Sequence, residues 1–133
     1  MSHLPNEELI SAAAGELGQA GASELGVIAS LRAQGHEPEA VRAAIEQCEL
    51  RSKAGIAWKP GGQTRQHWLL TRDGLEQASH PLVAQFHANL IVQSGVNHVI
   101  DLTAGLGSDS AAFIEAGLRV TALERHPDTA AFL

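Results

Sequence analysis

In the run VIDLTAGLGSD over residues 99–109, Asp101 closes an apolar segment, Gly105 and Gly107 bracket Leu106, and Asp109 follows the glycines. A second apolar run, Val120 to Leu123, closes on Glu124 and Arg125. The spacing predicts a buried strand, a glycine turn, a helix, a second strand, and a carboxylate at that strand's end. Such a βαβ unit collects what is needed to hold an adenosine: a turn that a ligand can approach closely, backbone N–H groups at a helix start, and an acid for the ribose hydroxyls.

The glycine pattern selects among nucleotide ligands. A dinucleotide fingerprint requires G-x-G-x-x-G, its third glycine allowing close helix packing. Here that third slot is Ser110, which disfavours a nicotinamide enzyme. A Walker loop lacks its G-K-[ST], and Asp109 would stand where phosphate charge must be accepted. Acids at 101 and 109 suit a cationic ligand instead, because opposite charges attract. S-adenosylmethionine carries both a sulfonium and an ammonium group.

These residues resemble the class I S-adenosylmethionine-dependent methyltransferases. The stretch Asp101 to Leu133, DLTAGLGSDSAAFIEAGLRVTALERHPDTAAFL, is similar to the bacterial small-subunit ribosomal RNA guanine-N2 methyltransferases, whose first motif reads D-x-T-A-G-L-G-x-D and whose second strand ends in L-E-R. The segment WLLTRDGLEQAS from Trp68 to Ser79 resembles bacterial methyltransferases that carry a THUMP-like module, distantly similar to trimethylguanosine cap synthases. The resemblance places Asp101 near the methionine end of the cofactor and makes Thr103, Ala104, Gly105, Leu106 and Gly107 the turn beneath it. It assigns Glu124 to the ribose hydroxyls and Arg125 to the adenine edge. It also has Asp109 capping the helix start while facing the methionine end. The plain alternative makes Asp101 a strand end, Ser108 or Asp109 an N-cap, and Glu124 a surface acid.

The elements that must position these residues occupy only the last part of the 133-residue chain. The expected organisation is a helical module over 1–64, a junction strand and helix over 65–94, and the start of a Rossmann-like cofactor-binding domain over 95–133. The fold class expected is α/β: the helical module followed by the first β-α-β of a truncated methyltransferase sheet. Two parallel strands leave apolar edges bare, so the chain reads as the N-terminal part of an enzyme. The amino-methylating relatives hold their target amine with a D/N-P-P-aromatic motif. None exists here, since Pro5, Pro38, Pro60, Pro81 and Pro127 are all unpaired. No catalytic residue is assigned.

Helical periodicity organises the first fifty or so residues. Asn6 is placed to cap a helix with Leu9, Ile10, Ala13 and Leu17 inward, and Ser23 a second with Leu25, Ile28, Ala29 and Leu31 inward before Gly35. Pro38 fits the first turn of a third helix, carrying Val41, Ala44, Ile45 and Cys48 toward Lys53. Ser79 and Pro81 open a further helix with Leu82, Val83, Phe86, Leu90 and Ile91 on its apolar side, ending at Gly95. Gln77 and Ser79 are weaker candidates for cofactor contact, capping being the simpler role.

Charge divides unevenly. Acids dominate residues 1–50, whereas Arg51, Lys53, Lys59, Arg65 and Arg72 form an acid-free basic stretch interleaved with Trp58, His67 and Trp68. Cations beside aromatic faces suit single-stranded nucleic acid, since phosphates pair with the former and bases stack on the latter. This stretch is the candidate RNA contact, a solvated linker with Trp68 buried in a strand being the alternative. A hydrophobic fraction of 44% and a net charge of −6 are ordinary for a folded domain. The single Cys48 excludes a disulfide framework, and the seven histidines lack metal-binding spacing, so no metal is expected. With no long apolar span and no signal-peptide layout at its start, the expected compartment is the cytoplasm and no membrane partner is expected.

Two functional classes follow from the residues. One is the N-terminal part of a methyltransferase that uses S-adenosylmethionine and modifies RNA. The other is a non-catalytic helical interaction module with a vestigial nucleotide-binding tail. The sequence leaves open a homo-oligomer or a missing C-terminal domain.

Overall fold

In a computed structural model, residues 5–57 and 68–131 are described. They form a mixed α/β structure, mostly helical, with one small parallel sheet. The chain divides into two compact units, Met1–Lys53 and Ala54–Leu133.

The first unit is built from α1 (Glu7–Leu17), α2 (Glu24–Ala33) and most of α3 (Pro38–Ala57). Each start has a local cause. Asn6 is extended and its side chain accepts the Leu9 N–H at 2.7 Å, while Ser23 Oγ accepts the Gly26 N–H at 3.1 Å. Both satisfy an amide that the helix itself cannot. Pro38 supplies the first residue of α3, where its missing N–H costs nothing. Leu9, Ile10 and Ala13 of α1, Val27 and Leu31 of α2, and Val41, Ala44, Ile45 and Leu50 of α3 are buried. The α2 face differs from expectation: Leu25 and Ala29 are exposed, Ile28 is half-buried, and Val27 joins Leu31 in the core. Glu16 Oε1 ties α1 to α2 by accepting from Ser30 Oγ and Gln34 Nε2, both at 3.1 Å. Cys48 donates weakly to the Ile10 carbonyl, and burial raises its thiol pKa against a smaller opposing pull from Arg51. A raised thiol keeps its proton and is a poor nucleophile.

The second unit holds α4 (Arg72–Gln77), α5 (Pro81–Gln93), β1 (His98–Asp101), α6 (Ser108–Glu115), β2 (Arg119–Ala122) and α7 (Pro127–Ala130). Residues 68–70, where Trp68 was expected in a strand, are irregular, and Trp68 is half-buried. Strands β1 and β2 pair in parallel, His98 opposite Arg119 through Asp101 opposite Ala122. Parallel strands need a crossover, and α6 provides it. Val99 and Val120 point to one face of the sheet, against a core of Ala84 and Ala88 from α5, Ala112 and Phe113 from α6, and Leu118. Ile100 points to the other face and is exposed.

Helix α5 differs from its expected orientation. Its buried residues are Ala84 and Ala88, with Ile91 partly buried, while Leu82, Val83, Phe86 and Leu90 are exposed. Alanines permit close approach of α5 to α6, which a row of bulky side chains would prevent. The α5 cap also moves by one residue: His80 Nδ1, not Ser79, accepts the Leu82 N–H at 3.3 Å. Among the described residues, no helix is long and apolar enough to cross a membrane, and no group of His, Cys, Asp and Glu is placed to hold a metal ion.

Candidate cofactor cleft

The cleft of the second unit forms where the ends of β1 and β2 meet the residues that precede α5. The β1 end is extended by two bonds, from Leu123 N–H to the Asp101 carbonyl at 2.8 Å and from Ala104 N–H to the Leu123 carbonyl at 3.0 Å. The chain then turns back through Gly105 (φ 56°) and Gly107 (φ 77°), left-handed conformations that glycine adopts without steric cost. Gly107 is the N-cap of α6, so no side chain caps that helix. Neither Ser108 nor Asp109 serves as the expected cap: Ser108 Oγ donates to the Ser79 carbonyl at 2.8 Å, and Asp109 is held by His87.

Asp101 braces the turn from behind. Its Oδ1 accepts the Thr103 N–H at 3.2 Å and its Oδ2 accepts the Ser110 hydroxyl at 2.6 Å. The serine in the third glycine slot thus has its own structural use, fastening α6 to the strand end.

Glu124 fastens the turn from the front. Its Oε2 accepts the Gly105 N–H at 2.9 Å and its Oε1 accepts the His126 N–H at 2.7 Å. The His126 amide is the main cause that holds the Glu124 carboxyl below its ordinary pKa. Desolvation opposes it as the next largest influence, and the Gly105 amide, the His126 ring and the Arg125 amide act with it. The side chain is therefore an ionised acceptor at neutral pH.

The resulting open cleft has a volume of about 830 Å³. Thr103, Ala104, Gly105, Leu106, Asp109, Glu124 and Arg125 all line it, whereas Asp101 and Gly107 do not contribute to its wall. The facing wall comes from Thr71, Arg72, Asp73, Gly74, Gln77, Ala78 and Ser79, in and around α4, and its far end from His126, Asp128 and Thr129. Sequence reasoning left most of the α4 wall out, naming only Gln77 and Ser79 there as cofactor contacts and Arg72 as a nucleic-acid residue. The available signal was Thr71 three residues ahead of Gly74, a cap and a residue with no side chain: Thr71 Oγ1 accepts the Gly74 N–H at 3.1 Å. A Cβ at Gly74 would lie 2.6 Å from Thr71 Oγ1 and 2.7 Å from Leu106 Cγ, so α4 rests directly on the glycine turn.

Arg51 of α3 forms a two-pronged pair with Glu7 of α1, Nη1 to Oε1 and Nη2 to Oε2, both 2.8 Å. Lys53 is exposed and Arg72 belongs to the cleft wall, while Lys59 and Arg65 lie outside the described residues.

The model of a family described as Domain of unknown function (DUF8688) matches residues 8–54, which cover nearly all of α1, the whole of α2 and most of α3. No curated protein matches the chain, and no solved structure does.

Proposed function

We propose that the second unit is the opening segment of a Rossmann-like S-adenosylmethionine-binding domain and that the protein belongs to an RNA-modifying methyltransferase. The observation that carries this reading is Glu124, an ionised, amide-held carboxylate that stands on the cleft wall with acceptor sites to spare. An ionised carboxylate offers roughly four acceptor sites. The Gly105 and His126 amides take one on each oxygen. The Arg125 amide acts more weakly on the same carboxylate, and acceptor capacity remains for the two vicinal hydroxyls of a ribose.

Three further features favour an adenosyl sulfonium ligand. Gly105 lets a ligand approach the backbone closely, and the first turn of α6 has no side-chain cap in competition for its amides. Asp73, Asp109, Glu124 and Asp128 outnumber Arg72 and Arg125 on the cleft wall, a balance that favours a cationic ligand over a polyphosphate. The cleft volume falls within the ~300–1,000 Å³ typical of small-molecule sites. When bound, S-adenosylmethionine supplies an electrophilic methyl group. This chain's residues bind and orient it: Glu124 at the ribose, the Thr103 to Leu106 turn beneath it, Arg125 beside the adenine, Asp109 toward the cationic tail.

Titrating the chain with S-adenosylhomocysteine in a calorimeter tests the proposal. Saturable one-to-one binding is expected, with loss of binding in Gly105→Val, because a β-branched residue is strongly disfavoured at positive φ. Absence of heat and of any thermal stabilisation in the parent chain would refute it.

A further inference from the structure

Resting on that cofactor reading, we infer that His87 is a positioning residue for the ligand's amino-acid tail, acting through Asp109. Asp109 stands in the first turn of α6 and lines the cleft. His87 stands on α5, outside the cleft wall, and its Nδ1 lies 2.8 Å from Asp109 Oδ1. An ionised carboxylate only accepts, so Nδ1 carries the proton and donates it to Oδ1. Helices α5 and α6 are packed together through Ala84, Ala88, Ala112 and Phe113, so the donor and acceptor are carried on elements fixed to each other.

This bond has two effects on the carboxylate. It takes one acceptor site on Oδ1 and removes rotational freedom from the side chain, leaving Oδ2 as the oxygen with both sites open to a cation. It also draws Asp109 away from capping α6, since a carboxylate engaged by a neighbouring helix cannot fold back onto its own first-turn amides. Those amides then stay available beside a correctly turned carboxylate. Together they form a paired donor and acceptor, the complement of an α-amino acid: ammonium on Asp109 Oδ2, carboxylate on the helix start. Glu124 serves the opposite, ribose part of the ligand, and nothing links His87 to it.

The separation of the two ends sets the test. The full chain is titrated with S-adenosylhomocysteine, which has the amino-acid tail, and with 5′-methylthioadenosine, which lacks it. His87→Ala is expected to weaken S-adenosylhomocysteine binding roughly three- to ten-fold, the worth of one hydrogen bond, and to leave 5′-methylthioadenosine unchanged. His87→Asn, whose side-chain N–H sits at the same δ position as Nδ1–H, is expected to restore most of the loss. His87→Ala is also expected to have no further effect in an Asp109→Asn background. Equal weakening of both ligands, or none, would overturn the inference while leaving the cofactor reading standing. Failure of the parent chain to bind either ligand would overturn both. Should alanine loosen α5, the Nδ1 nitrogen resonance of the unaltered protein decides instead. It is expected to report a protonated Nδ1 and to move with S-adenosylhomocysteine but not with 5′-methylthioadenosine, and the same response to both ligands would overturn the inference.

Discussion

Asp101 and Glu124 are both acids at strand ends, yet they do different work. Each accepts one bond per oxygen, Asp101 from Thr103 and Ser110 and Glu124 from Gly105 and His126, but Asp101 stands off the cleft wall whereas Glu124 lines it, where its remaining acceptor sites are open to a ligand. Glu124→Gln keeps one acceptor but loses the charge and turns the other atom into a donor aimed at an amide. Affinity for S-adenosylhomocysteine is expected to fall about ten- to hundred-fold, read by calorimetry; an unchanged affinity would remove Glu124 from the ligand. The pH dependence follows from the lowered pKa. Because the bonded carboxylate titrates below its ordinary value, its bonds are fully present above that value and are lost only as pH falls through the lower, folded-state one. A carboxyl carbon titration of Glu124 by nuclear magnetic resonance should therefore show its midpoint shifted to the acid side of an exposed glutamate.

Helix α4 shows how an element of six residues defines a cleft wall. It is held by its Thr71 cap and by Gly74 seated against Leu106, with no room for a methyl group between them. Gly74→Ala pushes α4 off the glycine turn, at an expected cost of about 1–3 kcal/mol in urea unfolding, typical of overpacking, together with weaker ligand binding. A variant of parental stability and affinity would mean that α4 is not fixed there. The sequence made the α1, α2 and α3 starts legible, because a capping side chain or a proline acts on its own neighbours. The βαβ unit was legible for the same reason: glycines and acids mark its turns. The α5 face was not, since Leu82, Phe86 and Leu90 repeat with helical spacing just as Ala84, Ala88 and Ile91 do, and spacing alone does not say which row meets α6. Hydrogen bonds across long sequence separations, such as His87 to Asp109, are set by packing and leave no local trace.

At the scale of the molecule, the matched family covers the helical unit and the cleft belongs to the other. The basic stretch also spans the divide, with Arg51 and Lys53 in the helical unit and Arg72 in the cleft wall. Its members are expected to respond differently to charge reversal. Arg51→Glu sets two acids against each other and is expected to destabilise the helical unit by at least the ~0.2–1 kcal/mol of an exposed pair, visible as a lower melting temperature. Lys53→Glu, at an exposed site, is expected to leave melting unchanged and to weaken association with single-stranded RNA, with a shallower dependence on salt. RNA association indifferent to Lys53 and Lys59 would make the stretch a linker.

The bond from the Gly105 amide to Glu124 joins residues whose proximity depends on β1 and β2 pairing around the α6 crossover. Helices gather their contacts locally and form early, while parallel pairing must first close a long loop. In a refolding experiment the far-ultraviolet helical signal should accordingly recover ahead of the capacity to capture an adenosyl compound, so that the last thing this protein acquires in time is its cleft.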